Sequence, residues 1–245
     1  MLRLADVSKR FGGLQALSGV TLAAAAGQIT GLIGPNGAGK TTVFNLITGV
    51  FPPSAGSIHL GETELVGRRP HHIVRLGIAR TFQTPRLFRG MTVWEHVLVA
   101  QNHRPGRGGG LLLPGARGRA LLREAREALD LVGLWEARER PAATLTYGDQ
   151  RRLEIARALA AAPRLMLLDE PAAGMNPAES EALLRILEKV RAAGVTLLLI
   201  EHDMSVVMNL CDRVVVLNFG QKIAEGTPAE VQADPLVLEA YLGTE

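Results

Sequence analysis

The sequence predicts an α/β fold built on a largely parallel sheet. Three observations carry that prediction. An apolar run at 29–33 leads into the glycine-rich stretch Gly34-Pro35-Asn36-Gly37-Ala38-Gly39-Lys40-Thr41, and a helical segment follows it. A second apolar run, Leu165-Met166-Leu167-Leu168, ends in two carboxylates, Asp169 and Glu170. Beyond it, strand-like and helix-like segments alternate, which implies parallel strands with helices covering both faces.

Taken in order, residues 2–7, 19–22 and 29–33 read as short strands. A helix runs from 40 to about 49, and 57–60 and 78–82 read as further strands between Gly and Pro punctuation. From about 85 to 162 the character changes. Segments 93–101, 119–132 and 150–161 show helical periodicity with few strand signals, as a mainly helical insertion would. Residues 104–119 hold six Gly and two Pro and read as a surface loop. Alternation then returns: a strand at 164–169, and a helix at 178–192 with Leu183, Ile186, Leu187 and Val190 on one face. A strand at 195–200, a helix at 204–210 and a strand at 212–217 complete it. The expected division is one domain, with a core formed by 1–83 and 163–245 and a helical subdomain at about 84–162.

Composition sets limits. The chain has 245 residues, enough for a buried core, with 47% hydrophobic and 21% charged residues. Its net charge of +3 comes from 27 basic and 24 acidic residues, and only Lys9, Lys40, Lys189 and Lys222 are lysines. Nucleic-acid binding wants basic residues clustered with aromatics. Here aromatics are 4% and the arginines lie scattered among glutamates, so no nucleic-acid partner is expected. Cys211 is the single cysteine, which excludes an internal disulfide and suggests a reducing compartment. No apolar run approaches the roughly 18 residues of a membrane span. Met1-Leu2-Arg3-Leu4-Ala5-Asp6 has no signal-peptide pattern. A soluble, cytoplasmic chain is expected unless a partner holds it to a membrane.

The glycine-rich stretch fits the phosphate-cradling pattern G-x-x-x-x-G-K-[ST] in the required strand–loop–helix context. Glycines let backbone N–H groups turn inward around phosphates. A helix start adds unpaired N–H groups and a partial positive charge. Gly34, Pro35, Asn36, Gly37, Ala38, Gly39, Lys40, Thr41 and Thr42 are therefore candidate residues for binding a nucleoside triphosphate. Lys40 would reach the β- and γ-phosphates and the Thr41 hydroxyl would ligate Mg²⁺. Functional groups belong at the carboxyl end of a buried parallel strand. There Asp169 would hold the Mg²⁺ through water, and Glu170 would polarise the water that attacks the γ-phosphate.

Between these motifs lies Leu145-Thr146-Tyr147-Gly148-Asp149-Gln150, running into Arg151-Arg152-Leu153-Glu154-Ile155-Ala156-Arg157. Here the chain resembles the ABC ATPases, and it does so along its whole length. The resemblance implies that fold: a P-loop NTPase (RecA-like) core with a mostly parallel sheet, N-terminal antiparallel β strands and an inserted α-helical subdomain. It implies that Thr146, Tyr147 and Gly148 touch the γ-phosphate of an ATP held by a second subunit. Thr146 keeps the hydroxyl of the usual Ser, Tyr147 replaces a Gly, and Asp149 replaces a Gln. The resemblance further implies that Phe11 stacks on adenine and that Gln83 touches Mg²⁺ and water at the core–helical junction. His202 matches the switch histidine at the γ-phosphate, and Asn176 stands in the interface-crossing loop where Asp is commoner.

Within that family, Phe11-Gly12-Gly13-Leu14, Arg80-Thr81-Phe82-Gln83 and Arg86-Leu87-Phe88 resemble the ATP-binding subunits of importers for branched-chain and other hydrophobic amino acids. So do Glu170-Pro171-Ala172-Ala173-Gly174-Met175-Asn176-Pro177 and the ending Ala240-Tyr241-Leu242-Gly243. The lipopolysaccharide-export ATPase shares the C-terminal pattern but usually carries a bulkier residue than Ala172 and Asp rather than Asn176. A soluble ABC ATPase of repair or translation, and a non-catalytic nucleotide-binding regulator, are the other readings. The importer resemblance implies a second ATPase (a sister or a second copy) in a head-to-tail dimer, two transmembrane permease subunits and, indirectly, an extracytoplasmic solute-binding protein. It places the chain at the cytoplasmic face of the membrane, hydrolysing ATP. Pro85, Leu87, Phe88 and Trp94 are apolar candidates for docking a permease helix.

Overall fold

A computed structural model describes residues 1–103 and 116–242. Two sheets share one core. The first is antiparallel, with strands β1 (Leu2–Phe11), β2 (Leu14–Ala24), β4 (Ala55–Leu60) and β5 (Thr63–Glu64) in the order β2-β1-β4-β5. The second contains β3 (Ile29–Ile33), β6 (Ile78–Arg80), β7 (Leu165–Asp169), β8 (Thr196–Ile200), β9 (Arg213–Asn218) and β10 (Gln221–Gly226), ordered β10-β9-β3-β8-β7-β6. Its pairs are parallel except β10 on β9, so the expected mostly parallel sheet and the N-terminal antiparallel strands are both present.

The strands at the centre of the second sheet are apolar throughout because both their faces are covered. Along β7, Leu165 and Leu167 point into the core between the sheets, while Met166 and Leu168 point to the opposite, helical side. β8 repeats this with Leu198 and Ile200 against Leu197 and Leu199. This is the period-2 alternation of a strand buried on two faces. The helix α1 (Lys40–Ile47) fills the space between the sheets, with Val43, Phe44 and Ile47 fully buried. On the other side lie α3 (Val93–Ala100), α4 (Ala116–Val132) and α5 (Tyr147–Ala160), which pack on one another, and then α6 (Pro177–Ala192) and α7 (Met204–Leu210).

Several expectations are corrected. The first two strands run past the anticipated 2–7 and 19–22, because Gly12 (φ 56°) and Gly13 close a tight hairpin that pairs Phe11 with Leu14. Much of this hairpin faces solvent, so its sequence lacks a clean apolar alternation. The anticipated loop at 104–119 falls partly outside the described residues, and 116–119 are the first turn of α4. α2 (Pro70–Arg75), β5, β10, α8 (Pro228–Gln232) and α9 (Pro235–Leu242) come in addition. Among the described residues no helix is long and apolar enough to cross a membrane.

The segment before α3 is anchored by a buried histidine. His96 Nδ1 lies 2.8 Å from the Thr92 carbonyl, and Nε2 accepts the Phe88 N–H at 2.9 Å. Together these bonds require a neutral ring protonated at Nδ1. Burial, chiefly, holds the His96 pKa below its ordinary 6.5; Arg157 adds to this, while the Thr92 bond and Glu95 oppose it. The unfolded chain therefore binds a proton in a window where the native state resists it. Stability should fall as pH drops through and below 6.5. Urea unfolding at pH 7.5 and 5.5 tests this: His96→Gln should lose less stability between the two than the parent chain, and equal losses would contradict the assignment.

Candidate active site

The glycine loop joins β3 to α1, and its glycines are demanded by close backbone approach. Gly34 has φ 144°, and a Cβ there would collide with the Leu217 carbonyl oxygen. Gly39 has φ 101°, and its Cβ would lie 2.6 Å from a Leu17 methyl and 3.0 Å from the Ala16 carbonyl oxygen. The loop is tied to both sheets through main chain: Gly220 N–H donates to Ala38 O (3.1 Å) and Ser18 N–H to Gly220 O (2.8 Å). α1 starts with no side-chain cap, so its first-turn N–H groups lack intrahelical partners. Thr41 is exposed and Thr42 half-buried at that start. The Lys40 ammonium is buried and donates to the carbonyls of Gly34 (2.6 Å) and Pro35 (2.9 Å). Burial lowers its pKa, and Glu170 and Asp169 act the other way. The loop thus presents an uncapped helix start and a cation folded against its own carbonyls.

The two carboxylates differ in environment. Asp169 ends β7 buried, and desolvation raises its pKa against the opposing pull of Arg80. Arg80 Nη2 lies 3.2 Å from Asp169 Oδ2, while Nη1 donates to Asn45 Oδ1 of α1 at 2.7 Å. The same guanidinium is flanked by the Phe44 and Phe82 rings. Arg80 thereby fixes Asp169 relative to the helix that carries Lys40. Glu170 sits in the left-handed region at φ 46°, a conformation that costs a non-glycine residue on the order of 1–3 kcal/mol. Its N–H stays in the sheet, donating to Ile200 O at 3.0 Å. Its carboxylate meets two other candidates: Gln83 Nε2 donates to Glu170 Oε2 at 2.8 Å, and His202 Nδ1 lies 3.8 Å from the same oxygen. Buried Glu201 accepts from the N–H groups of Ala172 and His202, both at 3.3 Å, and so pins the two loops beside Glu170. His202 shares a cleft of about 420 Å³ with Gly34, Pro35, Asn36, Ala240 and Tyr241.

The candidates at 146–148 stand apart from that cleft. Thr146 caps α5 by accepting the Asp149 N–H at 3.2 Å, and Asp149 pairs with Arg152 at 3.4 Å. Tyr147 is 41% exposed, and its ring lies so close to Gly174 that a Cβ there would be 3.3 Å from it. Gly148 is buried under the Glu179 carboxylate, where a Cβ would meet Oε1 at 3.0 Å. Asn176 caps α6 in a reciprocal box with Glu179. Phe11 is 43% exposed, not a core residue; it packs edge-on with Phe51 (5.0 Å), and the Lys9 ammonium stands 4.9 Å from both ring centroids. Of the apolar residues near Gln83, Leu87 and Trp94 pack against the core and Phe88 is 57% exposed.

Arg80, Arg151 and Glu201 escape the sequence reading although they organise this region. Arg151 offered a signal: it and Glu154 fall on the buried face of α5, three residues apart, among Leu153, Ile155 and Ala156. In a chain so rich in scattered arginine, that spacing reads as surface charge.

Comparison with known proteins places this geometry in context. The family model described as "ABC transporter" matches residues 17–173, and that described as "Branched-chain amino acid ATP-binding cassette transporter" matches 221–245. The chain is 45% identical, over 99% of its length and 98% of the relative's, to the high-affinity branched-chain amino acid transport ATP-binding protein BraF of Pseudomonas aeruginosa. It is 46% identical, at the same coverage, to the LivG protein of the same description from Escherichia coli K12. A solved ATP-binding cassette of an ABC transporter in its ADP conformation superimposes with TM-score 0.88 at 33% identity, covering 99% of this chain and 98% of that one. A nucleotide-free cassette gives 0.86 at 33% identity, with 98% of each chain covered.

The glycine geometry yields a test. Gly39→Ala forces a side chain to φ 101° and against Leu17. It should lower Tm by about 4 °C or more and weaken ATP binding by at least roughly tenfold. Thermal shift with and without ATP reads both, and an undiminished ATP-induced shift would contradict the assignment.

Proposed function

The chain belongs to the ABC transporter ATPase family, and from that premise we propose that it is the ATP-hydrolysing, nucleotide-binding subunit of an importer for branched-chain and other hydrophobic amino acids. The names of its relatives and the C-terminal family match favour this over lipopolysaccharide export or a soluble ABC ATPase. The observation that carries the hydrolytic reading is the meeting of Gln83 and His202 at one carboxylate oxygen of Glu170, beside the loop that holds Lys40.

In this reading, phosphate oxygens replace the Gly34 and Pro35 carbonyls as partners of the Lys40 ammonium. The amides of Gly37 to Thr42 surround the phosphates and the adenine lies against Phe11. Glu170 orients and takes a proton from the attacking water, and Gln83 and His202 hold its carboxylate in place. His202 also donates to the γ-phosphate, so it distinguishes ATP from ADP. Thr41, Gln83 and Asp169 offer only oxygen donors, the set a hard cation prefers, and they would hold Mg²⁺. Gln83 turns its amide nitrogen to Glu170, which leaves the amide oxygen for that role. When bound, the ion would neutralise charge on the phosphates.

Thr146, Tyr147 and Gly148 lie outside the cleft of Gly34 and His202, and we assign them to the ATP of a second, sister ATPase in a head-to-tail pair. The helical region at about 84–162 would swing toward its counterpart as the pair closes. Exposed Phe88 would pass that motion to one of two permease subunits at the cytoplasmic face of the membrane, with a solute-binding protein on the far side.

Glu170→Gln should bind ATP with near-parental affinity and lose turnover by on the order of 10²- to 10⁴-fold. Phosphate release and nucleotide titration check this, and full turnover would sink the catalytic assignment. Phe88→Asp should abolish co-purification with the permeases, and with it leucine, isoleucine and valine uptake, while leaving Tm unchanged. Intact uptake would remove Phe88 from the docking surface.

A further inference from the structure

Arg151 is an arginine that folding alone does not call for. Its side chain is 3% exposed, one turn into α5. Burying a guanidinium is costly, and a buried ion pair is often no more stabilising than well-packed apolar residues in the place of both partners. What only arginine supplies is a planar fork of five donors. Here the two terminal nitrogens are spent on main-chain carbonyls: Nη1 donates to Phe82 O at 2.6 Å, and Nη2 donates to Gln83 O and reaches Glu170 O at 3.5 Å.

We propose that Arg151 is a positioning residue for hydrolysis, setting Gln83 and Glu170 against each other from beneath. The proposal rests on the roles given above to those two residues. Gln83 and Glu170 are joined twice, directly by side chains at 2.8 Å and through one Arg151 nitrogen by their main-chain carbonyls. Displacing the guanidinium frees both carbonyls and lets the side-chain pair drift. Misplacement by about 1 Å is enough to cost on the order of 10²-fold in rate.

The surroundings hold Arg151 in place. Glu154, buried one turn further along α5, lies 3.6 Å from Nη1. Its other oxygen accepts the Arg86 N–H at 3.0 Å and pairs with Arg157 Nη2 at 3.3 Å, while Arg157 donates to Arg86 O. Burial raises the pKa of Glu154 and these cations oppose it. On the preceding turn, the Tyr147 ring stands 5.3 Å from the Arg151 guanidinium and against Gly174. One face of α5 therefore touches the 82–86 segment, the Glu170 main chain and the loop at Gly174. A shift of α5 is felt at Gln83 and Glu170 through Arg151.

The test is a double-mutant cycle on the full chain with Arg151→Lys and Gln83→Ala. Lysine keeps the charge opposite Glu154, but one ammonium cannot span the carbonyls. Arg151→Lys should lower kcat about tenfold while ATP affinity changes less than about threefold and Tm stays close to the parent. In the Gln83→Ala background it should cost almost nothing more, because both changes break one unit. Losses that multiply, a parental kcat, or a loss of ATP affinity in step with kcat would overturn the proposal. Should the lysine variant fail to fold, Arg151→Met, which leaves Glu154 paired with Arg157 and the Arg86 N–H, removes the fork and carries the same cycle. If Gln83→Ala and Glu170→Gln both turn over normally, the reading of the site itself falls. If they lose turnover and Arg151→Lys does not, only the role of Arg151 falls.

Discussion

The structure depends on one constraint, the approach of main chain to main chain where the two sheets meet at the end of β3. The glycine loop lies against Leu217 of β9, against Ala16 and Leu17 of β2, and against the turn at Gly220. There is no room for a Cβ at Gly34, Gly39 or Gly220. Because the loop is built into this seam, its shape is set by the packing of both sheets and not by a ligand. α1 follows from the same point and fills the space between the sheets with Val43, Phe44 and Ile47. The proposed phosphate site would therefore exist before the nucleotide arrives, and binding would have only to draw Lys40 away from two loop carbonyls.

Around this seam, buried or part-buried charged groups tie helices and loops to the places where the chain leaves the strands. Arg80 ties Asp169 to α1, Glu201 ties the loop after β7 to the loop after β8, and Arg151 with Glu154 ties α5 to the segment after β6. Hydrophobic contacts would hold these elements together as well, but they do not fix a carboxylate to a few tenths of an ångström. Charged, hydrogen-bonded contacts do, at the expense of desolvation. Their placement also accounts for Glu170, whose left-handed backbone persists because its N–H remains in the β8 ladder and its carbonyl faces Arg151.

What the sequence made legible follows from how uniquely physics constrains each segment. β3, β7 and β8 are buried on both faces, so continuous apolar runs announced them, and α6 showed its core stripe of Leu183, Ile186, Leu187 and Val190. The outer hairpin and β10 are half-exposed and carry no such pattern. α8 was readable in principle, since Thr227 and Glu230 form a capping box with Pro228 at the first turn. At the site, the glycine loop and the Asp169–Glu170 pair were visible as motifs, Gln83 and His202 were expected only from the family resemblance, and the structure brings those two to Glu170. The supporting arginines could not, because a single-chain pattern does not tell a guanidinium aimed at a loop carbonyl from one aimed at water.

On the proposed function the chain is one half of a catalytic unit, with the cradle and the carboxylates in one place and the start of α5 facing elsewhere. The most direct test of that reading is phosphate release per chain as a function of concentration, with oligomeric state followed by light scattering in the same samples. Turnover is expected only where ATP-bound pairs form, rising steeply with concentration and on adding a co-expressed sister ATPase. Turnover that stays constant per chain down to concentrations where only monomer is present would contradict it.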